Sequence, residues 1–334
     1  MEDKVLLAHG SGGKLSHDLI SDNLVPFFDN ALLNRLDDSA VFELSGRLAF
    51  TTDSYVVNPI FFPGGDIGRL AVCGTVNDLA MSGASPKYIS ISLIIEEGLP
   101  MADLRRVVAS IRDAASEAGV MVVTGDTKVV DNGSADKLFI NSAGVGVVPP
   151  GVDISGSYAK PGDKVILSGS IGDHGMAVMS RREGLQFASP VESDCAPLNG
   201  LVAAILESGA EIHCMRDPTR GGLASTLNEF ASASQAGIRI EEGAIPVKEA
   251  VRGACELLGF DPLYVANEGK LVAVVAPEGA GDLLDIMRCN RHGADAAIIG
   301  EVVSEHPARV VMKTAMGASR IVDMLVGEQL PRIC

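Results

Sequence analysis

Apolar segments of two different periods alternate irregularly along this chain of 334 residues. Residues 67–82 and 104–118 carry apolar side chains near helical spacing, and a glycine follows each. Residues 88–95 and 139–148 instead read as strands. Because the elements do not follow a strict strand–helix–strand order, they predict an α+β fold rather than a doubly wound sheet. Further strands are predicted at 40–44, 47–52, 120–124, 164–168, 272–277, 297–303 and 310–313, and further helices at 197–208, 223–236 and 280–289.

The sequence Pro149-Pro150-Gly151 marks a predicted domain boundary, and the length of the chain favours two domains. We expect a glycine-rich N-terminal segment at 1–35, a first domain at 36–150, a second α+β domain at 151–318 and a C-terminal tail at 319–334. In the tail, Gly327 and Pro331 oppose a continued helix.

The formal net charge of −16 argues against a nucleic acid substrate and against an anionic membrane surface. It does not exclude a nucleotide, because Mg²⁺ bridges carboxylates and phosphates. The six cysteines contain no C-x-x-C pair, so they predict reduced thiols in a cytoplasmic protein. No secretory signal and no apolar run long enough to span a membrane is visible in the sequence.

Aspartates recur beside Gly, Thr or Asn in five short motifs. The motifs are Asp37-Asp38-Ser39-Ala40, Thr51-Thr52-Asp53-Ser54, Asn77-Asp78, Gly125-Asp126-Thr127-Lys128 and Arg216-Asp217-Pro218-Thr219-Arg220-Gly221-Gly222. Any one of these aspartates is most simply an ordinary turn or cap residue. Their recurrence at predicted strand ends and turns favours a cleft that binds Mg²⁺ and phosphate oxygens.

Two glycine-containing segments are candidate anion sites. Gly10-Ser11-Gly12-Gly13-Lys14 can wrap phosphates with backbone N–H groups, although it fails the P-loop pattern and is equally well a mobile N-terminal segment. Arg216 and Arg220 precede Gly221-Gly222 at the start of a predicted helix, and guanidinium groups and helix N-termini both bind phosphate.

Two further residues carry chemistry. Glu268, in Asn267-Glu268-Gly269-Lys270, is either a general base or an ordinary turn acid. Cys334 is the last residue, and an exposed terminal thiol has no packing role and does not fit the prenylation pattern. The six histidines show no metal-ligand spacing and are interpreted as surface, core or hydrogen-bonding residues.

The aspartate motifs together resemble the aminoimidazole ribonucleotide synthetase superfamily, which includes selenophosphate synthetase and thiamine monophosphate kinase. Within it, His9-Gly10-Ser11-Gly12-Gly13 and the terminal Pro331-Arg332-Ile333-Cys334 resemble the HypE family of hydrogenase-maturation proteins. The resemblance spans nearly the whole chain, and the terminal motif is its most specific part.

The resemblance implies a homodimer paired through the first domains, with ATP in a cleft near the dimer interface. It implies that a carbamoyltransferase, HypF, loads a carboxamide onto Cys334, that this chain uses ATP to dehydrate it to a thiocyanate, and that the cyano group passes to iron on HypC–HypD. The implied Mg²⁺ ligands are Asp38 (or Asp37), Asp53, Asp78, Asp126 and Asp217. Lys128 and Glu268 are implied to stabilise charge and transfer protons. The predicted nucleotide site also takes in Asp37, Asn77, Thr127, Arg216, Thr219, Arg220 and Asn267.

Two other functions stay open at this point. One is a small-molecule kinase or synthetase of the same superfamily in which Cys334 is incidental; a selenophosphate synthetase is disfavoured because no cysteine precedes Cys73. The other is a non-catalytic scaffold that passes a modified thiol between partners. ATP hydrolysis that depends on Cys334 separates the enzyme from the scaffold.

Overall fold

The computed structural model describes residues 4–185, 190–327, 330 and 332–334. The helices are α1 (Lys14–Asn23), α2 (Val25–Phe28), α3 (Ile67–Met81), α4 (Met101–Ala118), α5 (Asp173–Arg182), α6 (Asn199–Glu207), α7 (Gly222–Ser234), α8 (Glu249–Leu258) and α9 (Ala280–Arg288). The strands are β1 (Arg47–Tyr55), β2 (Phe61–Phe62), β3 (Gly65–Asp66), β4 (Ser85–Glu96), β5 (Met121–Val130), β6 (Leu138–Val148), β7 (Lys164–Leu167), β8 (Ile212–Arg216), β9 (Gly237–Glu241), β10 (Val272–Val275), β11 (Ala297–Val303), β12 (Val310–Lys313) and β13 (Ser319–Val322).

The first domain is built on a four-stranded sheet in the order β1-β6-β4-β5. Strands β4 and β5 are parallel and are joined through α4, while the other neighbours are antiparallel. Alternate residues of β6 are buried, because α3 and α4 cover one face of the sheet. Most of α3 is apolar and buried, so this helix forms the centre of the domain core.

The second domain contains a seven-stranded mixed sheet in the order β13-β12-β9-β11-β7-β10-β8. One face packs on α7 and the other on α6 and α9, so its central strands β7 and β10 are apolar throughout. Helices α5 and α8 instead contribute side chains to the core of the first domain. This packing fixes the two domains together around a shared cleft.

The structure confirms the α+β class and most of the predicted elements, and it corrects several. Residues 40–44 form no strand, and β5 continues through Gly125 and Asp126 instead of ending before them. The first 35 residues include α1 and α2, and the predicted tail 319–334 begins with β13. Helices α5 and α8 and strands β8 and β9 were not predicted, because each has ten residues or fewer and offers little sequence over which to recognise a period.

Candidate functional site

An acidic cluster lies where the end of β1, the last turn of α3 and the turn before α7 meet. Asp53 is on β1, Asp78 is on α3 and Asp217 follows β8. The Thr51 hydroxyl donates a 2.8 Å hydrogen bond to Asp78, and the Arg220 guanidinium lies 3.7 Å from the Asp53 carboxylate. Three of the predicted metal ligands and one predicted phosphate contact are therefore brought together.

Burial and neighbouring carboxylates raise the pKa values of Asp78 and Asp217 in this cluster. Burial, together with the nearby charges of Asp78 and Asp53, raises the pKa of Asp217 to about 7. Burial also raises the pKa of Asp78, and the Asp53 carboxylate adds to that shift. Such mutual repulsion is relieved by a bound cation, so the cluster is electrostatically suited to Mg²⁺.

Glu268 lies beside the cluster, and its side chain is buried. Its backbone N–H donates a 3.1 Å hydrogen bond to the ionised, buried carboxylate of Asp194, while side-chain atom Oε1 has no hydrogen-bond partner. Burial, followed by the charges of Asp217, Asp194 and Asp53, raises the pKa of Glu268 well above its ordinary value. A buried carboxyl group with a raised pKa and a free oxygen has the properties of a general acid or base.

The side-chain amides of two predicted nucleotide-binding residues form hydrogen bonds within the protein. Asn77 donates to the carbonyl groups of Ala196 and Glu268 and accepts a 2.7 Å hydrogen bond from the backbone of Leu198. Asn267 donates to the carbonyls of Pro218 and Val265 and accepts from the Gly172 N–H at 2.7 Å. Both side chains therefore position the loops that carry Glu268 and Asp217.

The turn before α7 takes a shape that only glycine fits. Gly221 and Gly222 have φ angles of +76° and +59°, and a Cβ on Gly222 would lie 2.6 Å from the Leu263 carbonyl oxygen. Thr219 is within this turn, and its carbonyl accepts a 3.0 Å hydrogen bond from Gly222. Arg216 is ion-paired with Glu229 at 2.7 Å. Both predicted phosphate-binding guanidinium groups lie near the acidic cluster, and each lowers the pKa of Asp78.

The C-terminal cysteine is placed at the same cluster. The Cys334 carbonyl accepts a 3.2 Å hydrogen bond from the Val56 N–H, which directly follows β1. Burial raises the pKa of the Cys334 thiol, and the charges of Glu268, Asp53 and Asp217 raise it further. The Arg220 guanidinium opposes this shift. The thiol is therefore protonated and lies within the electrostatic field of the candidate catalytic residues.

A second group of predicted residues lines a cavity of about 400 Å³ at the other edge of the four-stranded sheet. Its interior is apolar, from residues of α1, α2 and the sheet, and its polar lining includes Gly10, Gly12, Asp37, Thr127 and Lys128. A Cβ on Gly10 would lie 2.5 Å from the Val129 backbone nitrogen, so the glycine-rich turn packs directly on β5.

Lys128 forms an ion pair with Asp126 at this cavity, with Nζ 2.7 Å from Oδ1. That contact holds the pKa of Asp126 below its usual value. Gly13 precedes α1, Lys14 is its exposed first residue, and Ser11 donates to the Ala8 carbonyl at 2.9 Å. Asp37 is paired with Arg35, whereas Asp38 is exposed and is not part of the cavity lining.

The acidic cluster and the predicted residues at the cavity are separated within one chain. In the sheet register, Asp53 pairs with Ser142, while Asp126 pairs with Ser92, so the two acids lie on the outer strands. Three inter-strand spacings of about 4.8 Å put them roughly 14 Å apart. Asp53 also lies on the face covered by α3, and the register places Asp126 on the opposite face. Within the described parts of the chain, no three His, Cys, Asp or Glu side chains are arranged to hold one metal ion.

Comparison with known proteins agrees with the aspartate pattern. Residues 36–148 match the N-terminal domain of AIR synthase related proteins, and residues 160–313 match the C-terminal domain. Carbamoyl dehydratase HypE of Azotobacter vinelandii is 56% identical over 331 residues, which cover 99% of this chain and 97% of the relative. The chain belongs to the HypE family.

Solved HypE structures share the whole architecture. A crystal structure of hydrogenase maturation protein HypE in complex with ATP is 54% identical, with a TM-score of 0.96 over 98% of this chain and 99% of the other. The HypE–HypF complex structure matches 94% of this chain and 100% of its own, at 51% identity and a TM-score of 0.81. No helix in the described ranges of this HypE family member has the length and apolarity needed to cross a membrane.

Sequence reasoning missed the residues that hold the tail and the Glu268 loop. His174, Arg182 and Asp194 contact these segments through hydrogen bonds between residues far apart in sequence. His174 belongs to Gly172-Asp173-His174-Gly175, and this polar segment at the start of α5 was the available signal.

Proposed function

We propose that this chain dehydrates an S-carboxamide on Cys334 to a thiocyanate at the expense of ATP, and that the product supplies the cyanide ligands of iron during [NiFe]-hydrogenase maturation. The observation that carries this proposal is the position of Cys334, the last residue, beside Glu268 and the acidic cluster. An incidental terminal cysteine has no reason to be held there.

The reaction requires an amide oxygen to leave. ATP supplies the phosphoryl group that converts this oxygen into a phosphate leaving group, with Mg²⁺ spreading the charge. The C–O bond then breaks as the nitrogen loses its two protons, which leaves S–C≡N. Glu268, with its raised pKa and its free Oε1, is the residue we assign to proton removal. Arg220 is placed to balance negative charge beside Asp53.

The 400 Å³ cavity is the proposed site of the adenosine part of ATP, because an apolar interior with a few polar groups suits a base and its sugar. The turn Gly10–Lys14 and the Lys128 ammonium lie at this cavity and are proposed to contact phosphates. Asp126 and Asp38 are proposed Mg²⁺ ligands together with Asp53, Asp78 and Asp217. Asp37 remains the alternative to Asp38.

A homodimer is proposed to bring together the acidic cluster and the residues at the nucleotide cavity, which are far apart within one chain. The face of the four-stranded sheet opposite α3 exposes Leu48, Phe50, Ile94 and Met121, with Phe50 73% exposed. Such a face is expected to be covered by a second copy of the chain. In such a homodimer, each site is proposed to combine the acidic cluster of one protomer with the nucleotide cavity of the other.

Mixing two inactive variants tests this arrangement. Asp126→Ala and Glu268→Gln are each expected to abolish thiocyanate formation. If sites combine residues of both protomers, a fully exchanged 1:1 mixture contains about one quarter intact sites, and it regains about that share of wild-type activity. A site contained in one protomer predicts no recovery, and that result would refute the composite site.

HypF is proposed to load Cys334, and HypC–HypD is proposed to receive the cyano group. The reactions are proposed to take place in the cytoplasm, where free thiols persist. The six cysteines are all unpaired, in line with such an environment. If Cys334→Ala hydrolyses ATP at the wild-type rate, the result would instead favour a small-molecule kinase. If neither the wild type nor any variant hydrolyses ATP, the result would favour the scaffold.

A further inference from the structure

We infer that residues 56–58 and two side chains of α5, His174 and Arg182, form a receptor that holds the last three residues by their main chain and leaves the Cys334 sulfur free. The inference rests on the proposed role of Cys334 as the reacting residue. The receptor residues determine the fraction of time for which Cys334 is docked in the site.

Each of the last three carbonyl groups has a donor from the receptor. The Arg332 carbonyl accepts from the Asn58 N–H at 3.2 Å and from the Arg182 guanidinium at 2.7 Å. The Ile333 carbonyl lies 2.9 Å from His174 Nε2, and the Cys334 carbonyl accepts from the Val56 N–H at 3.2 Å. The two backbone bonds run in the antiparallel sense, so the tail lies alongside residues 56–58, directly after β1.

The imidazole of His174 is fixed in one tautomer. Burial lowers the pKa of His174, so the ring is neutral. A carbonyl oxygen only accepts, so Nε2 carries the proton and donates to Ile333, while Nδ1 accepts from the Ser193 hydroxyl at 2.8 Å. The ring of Phe62 packs edge-on against the imidazole, with ring centroids 5.3 Å apart. The donor is therefore oriented before the tail arrives.

Two side chains anchor the tail. Ile333 is only 3% exposed and belongs to the core of the first domain, and Arg332 pairs with Asp136. The side chain of Cys334 packs at the margin of the same core but takes part in none of the hydrogen bonds or ion pairs that hold the tail. These polar contacts therefore do not depend on whether the sulfur carries hydrogen, a carboxamide or a cyano group.

The reactivity of Cys334 toward iodoacetamide measures this docking without ATP or turnover. Cys289 is exposed and serves as an internal reference in the same full-length chain. Labelling of the buried thiol follows the fraction of undocked tail, because opening and closing are fast relative to alkylation. His174→Leu is expected to raise the Cys334/Cys289 labelling ratio about five- to tenfold, as expected for a lost hydrogen bond. Ile333→Ala is expected to raise it about 30-fold or more.

Two matched variants distinguish loss of the His174 donor from a general disturbance of the structure. His174→Gln keeps an N–H near the position of Nε2 and is expected to restore most of the wild-type ratio. Arg181→Ala, at an exposed neighbour on α5, is expected to leave it unchanged. Because Ile333→Ala alters only the tail, it remains informative if His174→Leu fails to fold.

An unchanged ratio in both His174→Leu and Ile333→Ala would overturn the receptor. If His174→Gln behaves like His174→Leu, the donor role of Nε2 is wrong. Neither result bears on the reaction, which fails instead if Cys334→Ala forms product normally.

Discussion

The Glu268 backbone donates a hydrogen bond to Asp194 while its side chain points away toward Asp217 and Cys334. One carboxylate thus anchors the loop in ionised form, while burial and the neighbouring charges raise the pKa of the other well above its ordinary value. Asp194 is ionised despite its burial, because Lys270 lies 3.1 Å away and the Glu268 N–H donates to its carboxylate. This division assigns Glu268 to chemistry and Asp194 to positioning.

Glu268→Gln is expected to bind MgATP and accept the carboxamide but to form thiocyanate about 10²–10⁴-fold more slowly, the usual cost of losing a general base. Intact mass of the C-terminal peptide distinguishes the accumulated carboxamide from thiocyanate. Glu305→Gln, an exposed substitution far from the site in sequence, is the control. Product formation at the wild-type rate in Glu268→Gln would reduce this residue to a turn acid.

Asp78→Ala is expected to remove Mg²⁺-dependent ATP binding while the fold persists, because Asp78 faces Asp53 and Asp217 across the cluster. Titration calorimetry with and without Mg²⁺ measures the loss. Asp113→Ala, an exposed change on α4, is the matched control and is expected to bind normally. Unchanged MgATP affinity in Asp78→Ala would remove this residue from the metal site.

Stability without Mg²⁺ is expected to fall as the pH rises from about 4 to 7. The pKa of Asp217, about 7 in the folded protein, is higher than in the unfolded chain, so the folded state binds a proton that unfolding releases across this window. The contribution of Asp217 to the free energy of unfolding is therefore most favourable below pH 4 and is lost through pH 7. Asp217→Asn removes this loss and should stabilise the protein at pH 8 by roughly 1–3 kcal/mol. Urea denaturation at pH 5 and pH 8 gives the slope, and identical slopes for both proteins would contradict the assignment.

Cys334→Ala is expected to abolish thiocyanate formation, whereas Cys289→Ala is expected to retain it. Cys289 is exposed after α9, remote in sequence from the cluster, while Cys334 is held at it. Adding residues after Cys334 should also impair the reaction, because the docked cleft would have to admit them. Mass spectrometry of each variant after the full reaction identifies the modified cysteine, and a thiocyanate shift on any other residue would refute the assignment.

Phe50→Asp is expected to dissociate the homodimer into folded monomers, because it places a charge at the centre of an exposed apolar sheet face. Sedimentation velocity measures the state, and Arg112→Asp on α4 is a charge-changing control away from that face. Loss of thiocyanate formation in the folded monomer would support a composite site. A monomeric Phe50→Asp protein with full activity would contradict it.

Sequence patterns predicted the elements with a strong period, such as α3, α4, β4 and β6, because burial on one face imposes that period. They also pointed to Asp53, Asp78 and Asp217, whose motifs occur at turns and helix positions that the fold brings together. The tail receptor was not predictable, since Val56 and His174 contact main-chain carbonyl groups of Cys334 and Ile333, and any residue carries such a group. Nor could the sequence show that the side-chain amides of Asn77 and Asn267 donate hydrogen bonds to loop carbonyl groups.

The placement of Cys334 by covalent linkage also changes what a rate measurement on this protein reports. A reacting group tethered to its own catalyst is present at a local concentration in the millimolar range or above, so dilution does not slow the step. Dehydration is then a first-order event with one substrate per chain, and saturation reports ATP alone. On the proposed function, repeated turnover requires the tail to leave, lose its cyano group, be carbamoylated again and return. Residues 332–334 then have to change places between the receptor and a partner in every cycle.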